Sequence, residues 1–278
     1  MKTYEAVPAS AERFLLGEGP IWDGARGRLL WIDIDDGAVL VGRLDGDRVI
    51  VEDRLEFAGT VGAVTVGVDG RLLVAACREL VEVDAEGNRS RVLSLIADNE
   101  QRRLNDGKTD PAGRFLVGTC PTAERRQEEW LKRIEHDGSV TAIDTGLGLS
   151  NGLAWSCDDD PATGAVGERS AFVRIEDGYP DGMCTDAEDH LWIAVYGRGE
   201  VRRYSPDGNL VAVVRVAALQ TTSVAFAGSG RDILVITTAS RGLTPEELIE
   251  YPDSGRIFAA RVDVQGAEVP PWVPVSSD

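Results

Sequence analysis

The sequence predicts an all-β fold, a six-bladed β-propeller with a shortened fourth blade, on three observations. Short β-branched or alternating runs recur along the chain; turn signals such as "LDGD", "DAEGN", "EHDGS" and "SPDGN" separate them; and one glycine-led pattern returns with a period a little above 40 residues. Six rows carry the pattern: Glu18-Gly19-Pro20-Ile21-Trp22, Val61-Gly62-Ala63-Val64-Thr65, Asp106-Gly107-Lys108-Thr109-Asp110, Asn151-Gly152-Leu153-Ala154-Trp155, Asp181-Gly182-Met183-Cys184-Thr185 and Thr222-Ser223-Val224-Ala225-Phe226. Their leading positions are 43, 45, 45, 30 and 41 residues apart. A repeat of that length holds about four strands, which is one blade.

The elements follow in order. Five rows are succeeded by a second apolar run, "GRLLWID", "GRLLVAA", "GRFLVGT", "HLWIAVY" and "RDILVIT", the expected second strand of each blade. The interval of 30 falls on "LSNGLAWSCDDDPATG", so the fourth blade is expected to keep its innermost strand, "NGLAWS", and an outer one, "SAFVRI", and to lack the middle pair. Its unpaired backbone then needs a patch from a loop, a neighbouring chain or a distortion. The last blade is expected to close with "GRIFAARV" and the N-terminal segment, leaving no open edge. Two stretches read as helical: Ala123 to Trp130, and the segment after "LTPEEL", where Thr244 caps, Pro245 suits the first position and Glu247 completes a capping box. The 278 residues are read as a single domain, 1–278.

Charge narrows the partners. With 29 basic and 47 acidic residues the net charge is -18, which repels phosphate backbones and anionic lipid; nucleic-acid and membrane roles are disfavoured, and the acidity reads as a solubility feature. "MKTYEAVPASAERF" has no apolar signal region, and the most apolar run, "LVAVVRVAAL", is broken by Arg215 and too short to span a bilayer, so the protein is expected to be soluble and cytoplasmic. Cys77, Cys120, Cys157 and Cys184 show no zinc spacing and are expected to be reduced and mostly buried. Oligomeric state is not legible.

In a propeller, residues at equal phase in successive blades ring one mouth of the channel. Four of the six leading residues are Glu18, Asp106, Asn151 and Asp181, with Asn105 adjacent. Crowded carboxylates repel and are costly to desolvate unless a cation joins them. An all-oxygen set favours a hard divalent ion, Ca²⁺, Mg²⁺ or Mn²⁺, with Zn²⁺ and Fe²⁺ less suggested. Against this stands the plain reading that Asp-Gly and Asn-Gly are ordinary turn dipeptides.

"LGEGPIWD", "RLNDGKTDPAGRFLVGT", "SNGLAWS", "YPDGMCTDAEDHLWIAVYGRGEVRRYSPDG" and "TTSVAFAG" closely resemble, in order and over nearly the whole chain, the senescence-marker-protein/gluconolactonase/regucalcin family. The resemblance implies a six-bladed propeller that hydrolyses sugar lactones with a divalent metal held by Glu18, Asn151 and Asp181. It also implies that Arg103 and Asn105 of "RRLNDG" lie on the substrate side, with Asp106 beside them. A substrate-contacting Glu usually follows the third blade's "GT" motif; here the segment reads "GTCPTAERR", and Glu124 takes that role only if the loop shifts. The family has a full fourth blade between its Asn and Asp ligands, and this chain departs from it there.

Lactone hydrolysis needs a polarised carbonyl, an activated water and a stabilised oxyanion. Asp181 is the expected general base with Asp106 the alternative, while Arg103 and Asn105 are expected to bind sugar hydroxyls or steady the oxyanion. Three other readings stay open: a non-catalytic divalent-metal-binding regulatory protein of regucalcin type, an interaction module with a vestigial site, and an organophosphate-ester hydrolase on the same scaffold. His136 and His190 lie away from the leading positions, which disfavours a Ser-His-Asp triad. "GRGEV" lacks the strand-turn-helix setting of a nucleotide loop, and Trp22, Trp31, Trp155 and Trp192 read as packing residues.

Overall fold

The computed structural model describes residues 1–124, 127–156 and 164–275. In chain order, β1 (Lys2–Glu5) and β2 (Val7–Pro8) precede the sheet of β3 (Gly17–Asp23), β4 (Arg28–Asp33), β5 (Ala38–Asp45) and β6 (Arg48–Glu56). A second sheet joins β7 (Val61–Val66), β8 (Leu72–Ala76), β9 (Glu79–Val83) and β10 (Arg89–Ser94), and a third β11 (Arg102–Thr109), β12 (Phe115–Pro121), β13 (Glu129–Ile134) and β14 (Val140–Leu147). No strand occurs among the described residues between Leu147 and Tyr179. Then come β15 (Tyr179–Thr185), β16 (Leu191–Tyr196), β17 (Glu200–Tyr204), β18 (Leu210–Arg215), β19 (Gln220–Ala227), β20 (Ile233–Ala239), helix α1 (Pro245–Glu250) and β21 (Phe258–Arg261).

The first three sheets are antiparallel meanders of neighbours in sequence, whereas β1, β2 and β15 to β21 join in one nine-stranded sheet, and aspartates set several of the first turns. Asp23 accepts from the backbone N–H of Arg26, Asp69 from Arg71, Asp110 from Ala112 and Arg114, and Asp186 from Glu188 and His190. The side chain thereby satisfies donors that the tight turn withdraws from the ladder.

The chain packs as two compact units. One comprises residues 1–56 and 168–268. Its cores lie between sheet faces: Leu29, Trp31 and Leu40 meet Ile233, Val235 and Ala259, and Trp192, Ala194 and Val214 meet Phe226, Leu234 and Phe258. The last blade closes as expected, since β21 pairs with β20 on one side and with β2 on the other. β1 adds itself, parallel, to the edge strand β18. The capping box of α1 forms between Thr244 and Glu247. In the other unit, residues 57–167 with the segment from Val269 onward, Leu73, Ala75 and Leu80 pack against Leu104, Phe115 and Trp130. Trp272 is buried in this core and exchanges backbone bonds with Val66 and Val68.

Two local expectations fail. Ala123 to Trp130 is not helical: Ala123 and Glu124 lie in a bend, Glu129 and Trp130 already belong to β13, and Arg125 and Arg126 lie outside the described residues. Burial of Trp130, with its N–H donated to Thr119 Oγ1 at 3.1 Å, overrides the local helix propensity. Nor do "NGLAWS" and "SAFVRI" form strands among the described residues. An innermost strand takes its ladder chiefly from the second strand of its own blade, and no such strand occurs among the described residues here. Cys77, Cys120 and Cys184 are free thiols, the last one buried; Cys157 lies outside the described residues.

Candidate functional site

The leading positions share a structural device that repeat spacing alone does not disclose. Wherever the first strand pairs with the second, the register slips at that phase: between Glu18 and Ile21, Val61 and Ala63, Leu104 and Gly107, Pro180 and Met183, and Thr221 and Ser223. A β-bulge re-aims a side chain out of the alternating pattern and frees it from packing between sheet faces. The following glycine permits close approach of inner strands. A Cβ on Gly62 would come within 2.5 Å of Leu104 O, and one on Gly182 would drive into Ser223.

In the first unit, Glu18 on β3 and Asp181 on β15 are both only 7% exposed. Gly19 N–H donates to Glu18 Oε2 at 2.8 Å, fixing that carboxylate from its own backbone. β3 and β15 both pack against β19, where Thr222 Oγ1 donates to Gly17 O at 2.6 Å. Tyr196, half-buried at the end of β16 and paired in register with Tyr179, has its phenol pKa raised by burial first and by the Asp181 charge second, against Arg241. Sequence reading missed Tyr196; its one signal was its place at the end of a blade's second strand.

In the second unit, β11 and the stretch from Ser150 to Trp155 are joined by side chains. Asn105, 6% exposed, donates through Nδ2 to Ser150 O at 2.9 Å and to Asn151 Oδ1 at 2.7 Å, while its Oδ1 accepts from Arg103 Nη1 at 2.6 Å. Asp106 accepts from Gly107 N–H through Oδ1 and from Gly152 N–H through Oδ2, both at 2.8 Å. The Asp106 carboxyl is enclosed even though the residue as a whole is half-buried. Its pKa is raised, desolvation being the largest influence and outweighing Lys108 and the two backbone N–H groups. Arg103, half-buried, also donates from Nη1 to Leu104 O at 2.9 Å and has no carboxylate partner among the described residues. Glu124 is exposed in the bend beyond β12.

A different acidic group, Asp186, Glu188 and His190, brings its ligand atoms within 4.8 Å of one another. Its chemistry is that of a turn, not of a metal site. The Asp186 carboxylate accepts from Glu188 N, His190 N, Trp192 Nε1 and Arg203 Nε, and the Arg203 guanidinium also pairs with Glu188 at 2.7 Å. A cation there would have to displace that arginine. The equivalent turn aspartates, Asp69 and Asp110, hold Arg71 and Arg114 in the same manner.

Where the fourth blade is short, arginines hold the chain. Arg133 Nη1 donates to Gly164 O at 2.5 Å in one unit. In the other, Arg202 grips Asp177 with two bonds of 2.9 and 2.8 Å, and this pairing holds the Asp177 pKa down at about 2. No helix among the described residues is long and apolar enough to cross a membrane.

Comparison with known proteins places these features. The model of the SMP-30/gluconolactonase/LRE-like region matches residues 16–161 and 156–240. A pentonolactonase of Haloferax volcanii is 35% identical over 246 residues, covering 81% of each chain, and a regucalcin of Gallus gallus is 31% identical over 300 residues, covering 98% of this chain and 99% of its own. The solved structure of a calcium-binding protein, regucalcin, from Agrobacterium tumefaciens superposes with a TM-score of 0.87 at 27% identity, covering 98% of this chain and 99% of that one.

Proposed function

The chain belongs to the SMP-30/gluconolactonase family and has its six-bladed β-propeller fold with a shortened fourth blade, and from that premise we propose that it is a metal-dependent lactonase opening a sugar lactone to the aldonic acid. The observation that carries this reading is the recurrent bulge, which takes Glu18, Asp106 and Asp181 out of the packing pattern at one common phase of the repeat. Buried carboxylates freed from core packing need a chemical reason.

In this reading Glu18, Asn151 and Asp181 are the metal ligands, as the family resemblance implies. Their chemistry fits a hard divalent ion: all three offer oxygen, and the two carboxylates are nearly buried. Ca²⁺, Mg²⁺ and Mn²⁺ suit the set ahead of Zn²⁺ and Fe²⁺. Such an ion supplies Lewis acidity at the lactone carbonyl and at the developing oxyanion. Asp181 removes a proton from the water that adds to the carbonyl carbon; the ring C–O bond then breaks, and the leaving oxygen takes that proton back from Asp181. Asp106, whose two oxygens already accept backbone N–H groups, is the second candidate base. Arg103 retains its Nε and Nη2 donors for substrate oxygens, and Glu124 is the outlying candidate contact.

A second reading, divalent-cation binding without turnover, is favoured by the regucalcins among the relatives. Hydrolysis of a panel of aldonolactones by chelator-stripped protein, before and after adding Ca²⁺, Mg²⁺, Mn²⁺, Zn²⁺ or Fe²⁺, separates the two. Metal-restored turnover above the spontaneous rate is expected. Metal binding with no lactone opened would replace the enzyme reading with the second one, and an aryl phosphotriester in the same panel tests the organophosphate alternative.

A further inference from the structure

We propose that Asn105 is a positioning residue that transmits the orientation of Arg103 to the metal-ligating amide of Asn151. The inference rests on the metal reading given above, and its geometry lies wholly within one unit.

The hydrogen bonds leave Asn105 a single orientation. Ser150 O can only accept, so the Asn105 atom facing it must be the amide nitrogen; Arg103 Nη1 can only donate, so the atom facing it must be the amide oxygen. The second Nδ2 hydrogen then points at Asn151, whose facing atom must be an acceptor, Oδ1. Orientation thus passes along a chain of three side chains, Arg103 to Asn105 to Asn151. Both hydrogens of the Asn105 amide are spent within the protein, which leaves only the second lone pair of Oδ1 to accept from a sugar hydroxyl. The same bond polarises the Asn151 carbonyl and holds its second lone pair in one direction, which is what an ion ligand needs. Asp106 completes the support by holding Gly152 N–H one residue further on.

This arrangement opposes simple electrostatics, and that makes it testable. Arg103 is a cation near a cation site, so its removal should tighten divalent-ion binding if charge alone mattered. Asn105→Asp adds a negative charge in an isosteric side chain, and should tighten binding if residue 105 acted as a ligand or through its field. The relay requires the reverse in both. Without Arg103 the Asn105 amide keeps its flip through Ser150 O but loses the bond that holds its oxygen end in place. With aspartate at 105, the Asn151 amide turns its nitrogen toward the new carboxylate and takes its oxygen out of position.

The test is calorimetric titration of chelator-stripped wild type, Arg103→Met, Asn105→Asp and Asn105→Ala with Mn²⁺ and Ca²⁺, in the absence of any lactone, with thermal unfolding of each apo protein as the fold control. The expected result is Kd raised about 10–100-fold in both Asn105 variants, the usual cost of losing a partner behind a metal ligand, and raised about 3–10-fold in Arg103→Met. Asn105→Asp preserves shape and keeps the test sound if Asn105→Ala folds poorly. Unchanged or tighter binding in Asn105→Asp and Arg103→Met, with wild type binding normally, overturns the relay alone. Wild type that binds neither ion overturns the metal reading, and the relay with it.

Discussion

Two neighbouring stretches of the second unit do the same job by different means. β11 is held by a ladder to β12 from Arg102 to Thr109. The stretch from Ser150 to Trp155 has no ladder among the described residues, and is held at separate points: Ser150 N–H on Thr119 O, Ser150 O and Asn151 on Asn105, Gly152 N–H on Asp106, and Trp155 Nε1 on Thr109 O at 2.8 Å. These side-chain links to β11 span 45 or 46 residues, close to the interval of 45 between the leading residues Asp106 and Asn151. The inner stretch has no strand partner among the described residues yet keeps its phase, because side chains of the preceding blade hold it. The phase of an inner stretch can therefore outlast the ladder that would carry it.

The difference should show in what each stretch tolerates. Gly182→Ala, in a laddered inner strand, drives a methyl group into Ser223 with no room to yield and is expected to cost about 3 kcal/mol in denaturant unfolding, at the upper end of overpacking effects. Gly152→Ala, at φ of 55°, is expected to cost the left-handed backbone penalty, about 1–2 kcal/mol. Equal costs would mean that the stretch is packed as rigidly as a true inner strand. Trp155→Phe removes one pinning bond and is expected to cost about 1 kcal/mol while speeding amide exchange from Ser150 to Trp155; exchange unaltered in that stretch would show that the pin is redundant.

The smallest effect is expected on the far flank, at the Asp177–Arg202 pair. Because the folded pKa of Asp177 lies below its ordinary value, its contribution is present above about pH 4 and is lost as pH falls through about 2. Asp177→Asn should therefore be slightly less stable than wild type at pH 7, with the gap closing in acid. A gap that widens in acid contradicts the ion pair as its source. Exposure of the Asp177 carboxylate to solvent keeps the effect small.

Much of the fold was legible because glycine spacing and apolar runs are local. The rows at Glu18, Val61, Asp106, Asp181 and Thr222 each became an inner strand, and the "GRLLWID" type of run became its partner. The helix after Thr244 was readable from its caps. The segment Ala123 to Trp130 was not, because burial of Trp130 and its pairing with β14 are decisions of the tertiary structure. For the site, phase singled out Glu18, Asn151 and Asp181, but could not show that Asn105 spends its donors on Ser150 and Asn151 or that Tyr196 feels Asp181. Contacts between residues 45 apart leave no mark in a sequence beyond the repeat itself.

The measurement that bears most directly on this account is lactone turnover by chelator-stripped protein after metal is restored, compared between wild type and Asn151→Ala at matched thermal stability. The predicted result is restored turnover in wild type and a loss of about a thousandfold or more in the variant, the equivalent of about 4 kcal/mol of transition-state stabilisation. Full metal-dependent turnover in a folded Asn151→Ala protein would contradict it, because the shortened blade would then contribute nothing to the reaction.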